Sequence, residues 1–139
     1  GSHMKKWTKI LIGTAVAAVL LVILGRFLLG SAPPRVEFPE DAEVYVESSM
    51  PKSVQHQLSA EDAETVIDLF NSYSSSWRWW SDYDIAYHYF LFIGENQVVG
   101  VSDDYCSYTM TVDGETIRVE LFLDEEDAKT LYAIYRKFY

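Results

Sequence analysis

Hydrophobic and polar positions divide this chain into three regimes. From Ile10 to Gly25 no residue is charged and most are apolar, and after Arg26 the run resumes with Phe27, Leu28 and Leu29 before Pro33 and Pro34 stop any helix. As a helix, residues 10–30 reach roughly 31 Å, about one hydrocarbon thickness, which predicts a transmembrane helix over about 10–30. Ser31 to Asp41, with Pro33, Pro34 and Pro39, reads as a short stiff tether. From residue 42 onward the pattern becomes that of a folded domain. Val44 and Val46 alternate with Glu43, Tyr45 and Glu47, the period of a half-buried strand, and Pro51 closes it. Ser59 is a good N-cap, followed by Glu61, Asp62 and Glu64, with Ala63, Val66, Ile67, Phe70 and Tyr73 at helical spacing. This predicts an amphipathic helix from Ala60 to Ser74.

Four strands follow. Ile85 to Ile93 is strongly β-prone, and Gly94-Glu95-Asn96-Gln97 turns the chain into Val98-Val99-Gly100-Val101. Tyr105 to Val112 puts Cys106, Tyr108, Met110 and Val112 on one face, with Ser107, Thr109 and Thr111 on the other. Asp113-Gly114 is a strong hairpin signal, and beyond it Ile117, Val119, Leu121 and Leu123 alternate with Arg118 and Glu120. Asp124 can cap a last helix whose apolar stripe is Ala128, Leu131, Tyr132, Tyr135 and Phe138. The expected fold is therefore α+β: after the membrane helix, a β-α-β-β-β-β-α domain over 42–139, an antiparallel sheet covered by two helices in two layers. This order resembles the half-repeat of the TATA-box-binding-protein fold. The resemblance implies a curved sheet gripping helices and carries no functional residue with it.

Charge fixes the orientation. Of the eleven basic residues four lie in positions 1–33, where there is no acid, and the other seven share positions 34–139 with all 21 carboxylates, a net charge of −14. Gly1, Ser2 and His3 before Met4 read as the remnant of a cleaved affinity tag (1–3), and 4–30 as the anchor. Lys5, Lys6 and Lys9 keep the N-terminus in the cytoplasm, with Trp7 at the inner interface, and place residues 31–139 outside the cell membrane. The same lysines, with Gly30-Ser31-Ala32, also fit a cleaved secretory signal. Pro33 directly after that scissile bond, and an apolar run longer than the usual ~7–15 residues, favour the uncleaved single-pass anchor. So acidic an outer domain is a poor match for nucleic acid or anionic lipid, and a reasonable one for a protein partner or a cationic ligand. The single cysteine, Cys106, leaves stability to packing rather than disulfides, a composition like that of extracytoplasmic domains of Gram-positive bacteria.

Candidate chemistry is sparse. Trp77, Arg78, Trp79 and Trp80 form the candidate binding loop: three large rings beside a cation could stack on a sugar, anchor in a partner's pocket, dip into the membrane interface, or fold back onto the core. Asp82, Asp84, Asp103 and Asp104 lie near strand ends that a hairpin brings together; they could hold Ca²⁺, but lack the ligand series and glycine of an EF-hand, so solvated turn acids are the simpler account. His88, inside an apolar run, has no Cys or second His at zinc spacing, and no metal is expected. No Gly-x-Ser-x-Gly elbow or Gly-rich phosphate loop occurs, and Cys106 sits among acids that would suppress its thiolate. The expectation is a membrane-anchored, extracytoplasmic, non-enzymatic binding or accessory domain of a bacterial envelope, without cofactor, contacting its partner or ligand through the aromatic loop. The alternatives are a small envelope hydrolase acting through carboxylates, and a structural subunit of a membrane complex packing through the small residues Gly13, Ala15, Ala17 and Ala18.

Overall fold

The structure, a computed structural model, describes residues 13–21, 24, 32–81 and 85–139. The chain forms two compact units, Gly1–Pro33 and Pro34–Tyr139. In the first, residues 13–21 and 24 are helical (α1). Among the described residues no helix is long and apolar enough to cross a membrane, and the rest of the 10–30 run, with the Lys5, Lys6 and Lys9 cluster, lies outside them.

The second unit is mixed α+β. Its elements are β1 (Val44–Ser48), β2 (His56–Gln57), α2 (Ala60–Ser72), β3 (Arg78–Trp79), β4 (Tyr89–Ile93), β5 (Gln97–Ser102), β6 (Tyr105–Val112), β7 (Glu115–Phe122) and α3 (Glu125–Arg136). Seven antiparallel strands make one sheet in the order β2-β1-β4-β5-β6-β7-β3. The expected order of long elements holds, with two short edge strands, β2 and β3, added to it. Asp113 and Gly114 both take positive φ, at 51° and 81°, so the β6–β7 hairpin closes on the pair the sequence singles out and Val112 faces Glu115.

Register sorts the side chains into two faces. The rung Val46–Leu91–Val99–Tyr108–Val119 and the rung Ser48–Tyr89–Val101–Cys106–Leu121 point into the main core. Ala63, Val66, Ile67, Leu69 and Phe70 of α2 and Leu131 and Ile134 of α3 join the same core. Between these rungs runs Glu47–Phe90–Gly100–Ser107–Glu120–Arg78, which faces the other way.

Both helices begin as expected: Ser59 Oγ accepts from the Asp62 backbone N–H (3.1 Å) and an Asp124 carboxylate oxygen accepts from that of Asp127 (3.2 Å). Tyr73, the C-cap of α2, ties the two together. Its hydroxyl donates to Asp127 Oδ2 (2.6 Å) and accepts from the Asp124 backbone N–H (3.1 Å). Of the expected apolar stripe of α3, Leu131 is buried and Ala128, Tyr135 and Phe138 pack against the core, whereas Tyr132 is half exposed and Ile134, outside that stripe, is buried.

Two further expectations need correction. The strand expected from Ile85 starts only at Tyr89, because Tyr87 packs against Gly100 on one face while Tyr89 lies in the core on the other. In a regular strand residues i and i+2 share a face, so the pleat cannot extend through both. Residues 34–41, expected as tether, are part of the packed unit: Val36 and Phe38 are buried in the core. The Val36 N–H donates to Ser74 O (2.9 Å), and Asn71 makes a two-way bond with the Phe38 backbone (2.8 and 3.0 Å). The Phe38 ring meets Phe70 and Tyr108 at centroid distances of 5.8 and 5.5 Å.

Phe38→Ala should therefore lower unfolding free energy by about 3–5 kcal/mol, the range for truncating a buried phenylalanine. Denaturant melts of the two proteins measure it. A difference within about 0.5 kcal/mol would mean that this stretch is tether after all.

Candidate functional site

The segment 77–80 is an edge strand and its continuation rather than a loop. Arg78 pairs with Glu120 and Trp79 with Val119, and the Trp80 N–H donates to Arg118 O (3.1 Å). Strand alternation then separates the four side chains. Trp77 is only 2% exposed and packs in the core against Phe70 and Tyr108, so the candidate binding residue at this position is a structural pin. Arg78 and Trp80 take the opposite face of the sheet, and Trp79, on the outermost strand, remains 39% exposed.

That opposite face is closed by aromatic and charged groups. Glu120 lies on it and is only 2% exposed. Tyr105 Oη donates to Glu120 Oε2 (2.9 Å), and Arg78 Nε stands 3.7 Å from Glu120 Oε1. The Arg78 guanidinium carbon is 4.6 Å from the centroid of Phe122, which is 43% exposed, and Tyr105 meets the same ring edge-on at 5.2 Å. A hollow of about 390 Å³ opens here, lined by Arg78, Trp79, Ser81, Glu120 and Phe122. A buried carboxylate is costly unless bonded and paired, and Tyr105 and Arg78 supply both.

Beside it a second cluster forms around Arg118. Its guanidinium carbon lies 4.2 Å from the Trp80 ring centroid, Nε donates to Ser107 Oγ (2.8 Å), and Nη2 donates to the Tyr87 hydroxyl. Tyr87 in turn covers Gly100, where a Cβ would meet its ring at 2.8 Å. Only glycine lets that ring lie flat on the sheet. Trp80 thus supports the patch from beneath a cation, and the solvent-facing groups are Arg78, Trp79 and Phe122. Sequence reasoning missed Phe122, Glu120, Tyr105 and Arg118. The register of β7 against β3 is what brings them together, and the only sequence signal for it is the alternation of Arg118, Glu120 and Phe122 with buried Val119 and Leu121.

The other candidates scatter. Asp103 and Asp104 sit exposed on the β5–β6 turn, while Asp82 and Asp84 lie outside the described residues, so the four-carboxylate grouping has no geometry to describe. His88 is exposed just before β4, its Nδ1 3.9 Å from Asp103 Oδ1. Cys106 is fully buried, and burial, with Asp104 adding to it, pushes its thiol well above the ordinary value, which suppresses the nucleophilic thiolate. Burial also raises Tyr89, and burial with the bond to Glu120 raises Tyr105. Tyr73 is pushed up to about 12 by burial and its bond to Asp127.

These shifts set a stability limit in alkali. All four groups are neutral when protonated and bind their protons more tightly when folded. Their stabilisation is complete below their unfolded values, 9.0 for cysteine and 10.0 for tyrosine, and is lost as pH rises through 9–12. The urea midpoint should fall between pH 8 and pH 11; an unchanged midpoint would contradict the burial of these groups.

No protein-family model matches the chain, and comparisons with characterised proteins and with solved structures find no match.

Proposed function

We propose that this chain is a single-pass membrane protein of a bacterial envelope, with its N-terminus in the cytoplasm and residues 31–139 forming a non-enzymatic binding or accessory domain outside. The apolar run over 10–30 and the lysines before it support the anchor. The domain is a two-layer scaffold, with the element order that resembles the half-repeat of the TATA-box-binding-protein fold. Its net charge of −14 directs it to protein rather than nucleic acid.

The contact surface in this reading is the Arg78–Trp79–Phe122 patch. The observation that carries it is the division of labour along β3. Trp77 is locked in the core and the backbone is paired to β7, so Arg78 and Trp79 are presented from a fixed frame rather than a mobile loop. Tryptophan and arginine dominate binding energy where they occur at interfaces, because rigid presentation leaves little entropy to lose on association. In the hollow beside them Glu120 is the single carboxylate among the described lining residues, which favours a binding surface over the two-carboxylate hydrolase.

With a photo-crosslinker at position 79 in the full-length protein, intact cells should yield a discrete crosslinked species. Arg78→Ala with Trp79→Ala should remove partner capture while leaving the melting transition within a few degrees of the parent. Protease added outside those cells should shorten the chain to its anchor. Undiminished capture by the double variant would contradict the assignment of the patch, and protection from external protease would contradict the topology.

A further inference from the structure

Beside the β3 patch, the face of the sheet turned away from the helices carries a hollow of about 320 Å³ that spans β4 to β7. Its polar lining includes Arg118, Tyr87, Ser107 and Thr109, and its apolar lining Phe90 and Val98. Elsewhere the domain surrounds its hollows with acids. Asp103, Asp104 and Glu125 line the cleft along α3 beside the β5–β6 turn, and Glu43, Glu64 and Asp68 stand in the one where β1, β2 and α2 meet. In a domain that holds all 21 carboxylates of the chain, none is among the described residues lining the Arg118 hollow.

The second observation is the direction of the hydrogen bonds. Arg118 donates from Nε to Ser107 Oγ (2.8 Å) and from Nη2 to the Tyr87 hydroxyl. Both hydroxyls act there as acceptors, so their own protons remain to be donated, and neither finds an acceptor among the described residues. Ser107 is only 6% exposed. The same holds for both N–H groups of Arg118 Nη1 and the second of Nη2, because Trp80 takes one face of the guanidinium, a contact that uses no N–H. Arg35, Arg78, Lys129 and Lys137 each lie within 3.7 Å of a carboxylate oxygen, whereas Arg118 has no such partner among the described residues. Glu120, opposite Ser107 in the β6–β7 ladder, pairs with Tyr105 and Arg78 instead. A half-buried guanidinium and two hydroxyls thus present donors to one space that supplies no anion of its own.

We propose that this hollow binds an organic carboxylate with an apolar substituent, its oxygens accepting from Arg118 Nη1 and Nη2 and from the hydroxyls of Tyr87 and Ser107. Bonds from guanidinium to carboxylate are charge-assisted and two-pronged, and Arg118 is already fixed in plane by its ring and its two hydroxyl partners, so little order is lost on binding. The substituent lies against Phe90 and Val98, and the 39% exposure of Val98 leaves apolar surface there to cover. The domain's net charge opposes anions at long range, but exposed charges beyond about 8 Å are screened at physiological salt, and the donors in the hollow decide locally. Neither Arg78 nor Trp79 lines this hollow, so the inference holds whether or not the β3 patch contacts a protein.

Phenylacetate, its neutral isostere phenylacetamide, acetyl-Ala-Ala-Phe and inorganic phosphate, each titrated into the ¹⁵N-labelled full-length protein in neutral detergent micelles, test it. Phenylacetate should give saturable shifts at the Arg118 Nε–H and at the amides of Gly100, Ser107 and Thr109, weakening with salt. Phenylacetamide should bind about tenfold more weakly or less. Arg118→Lys, which keeps the charge and loses the fork, should weaken phenylacetate at least as much. Tyr87→Phe keeps the ring over Gly100 and removes only the hydroxyl, so it leaves the packing of the sheet in place; it should weaken phenylacetate about tenfold and leave phenylacetamide nearly unchanged. Tighter binding of the acetylated peptide than of phenylacetate would identify a peptide C-terminus as the source of the carboxylate, and equal or weaker binding a free small acid. Absence of saturable shifts with phenylacetate, binding of phosphate alone, equal affinity for phenylacetate and phenylacetamide, or unchanged affinity of Tyr87→Phe for phenylacetate would overturn the proposal. Crosslinking from position 79 is read separately, so failure here and failure of the β3 patch are distinguishable.

Discussion

The structure depends on burying both faces of its middle strands while only one of them has helices to cover it. α2 and α3 close the face that carries Val99, Cys106, Tyr108, Val119 and Leu121. The other face, along Phe90, Gly100, Ser107 and Glu120, is closed by side chains that reach across it: Arg118 between Trp80 and Tyr87, and Arg78 beside Phe122. Planar guanidinium groups suit that task because they stack on rings and still satisfy directional bonds, which a lysine could not do in the same space. The consequence is a glutamate, Glu120, held almost fully out of water on a sheet surface that alternation alone would assign to solvent.

From this constraint the edge of the sheet acquires its character. β3 has only two residues, yet Trp77 just before it is sunk in the core and Trp80 just after it lies beneath Arg118. A strand so anchored at both ends keeps Arg78 and Trp79 in place without a long ladder. The cleft at the far end of the sheet has a different origin. It lies along α3 beside the β5–β6 turn, next to the stacked rings of Tyr89 and Tyr135. Two surfaces of opposite character result, one cationic and aromatic, the other acidic and aromatic.

Much of the fold was legible in the sequence because the long elements obey their periods. β6 and β7 alternate cleanly, Asp113-Gly114 admits one tight turn, and Ser59 and Asp124 cap the helices they precede. The remainder was hidden for physical reasons. Val36 and Phe38 sit among prolines and acids that read as a tether, and only long-range bonds to Ser74 and Asn71 reveal that they are core. A two-residue strand such as β3 carries no period, so Trp77, Arg78, Trp79 and Trp80 could be singled out by residue type but not sorted into buried and exposed. The burial of Glu120 and the Tyr89 cleft depend on register and on helix placement, which no local pattern encodes.

The claim that stacked arginines close the second face is tested most directly by a double-mutant cycle on Trp80 and Arg118. Unfolding free energies of the parent, Trp80→Leu, Arg118→Met and the double variant isolate the pair from the bonds Arg118 makes to Ser107 and Tyr87. The account predicts a favourable coupling of about 1 kcal/mol or more, the range for a partly desolvated cation over an indole ring. Additivity within about 0.3 kcal/mol would contradict it.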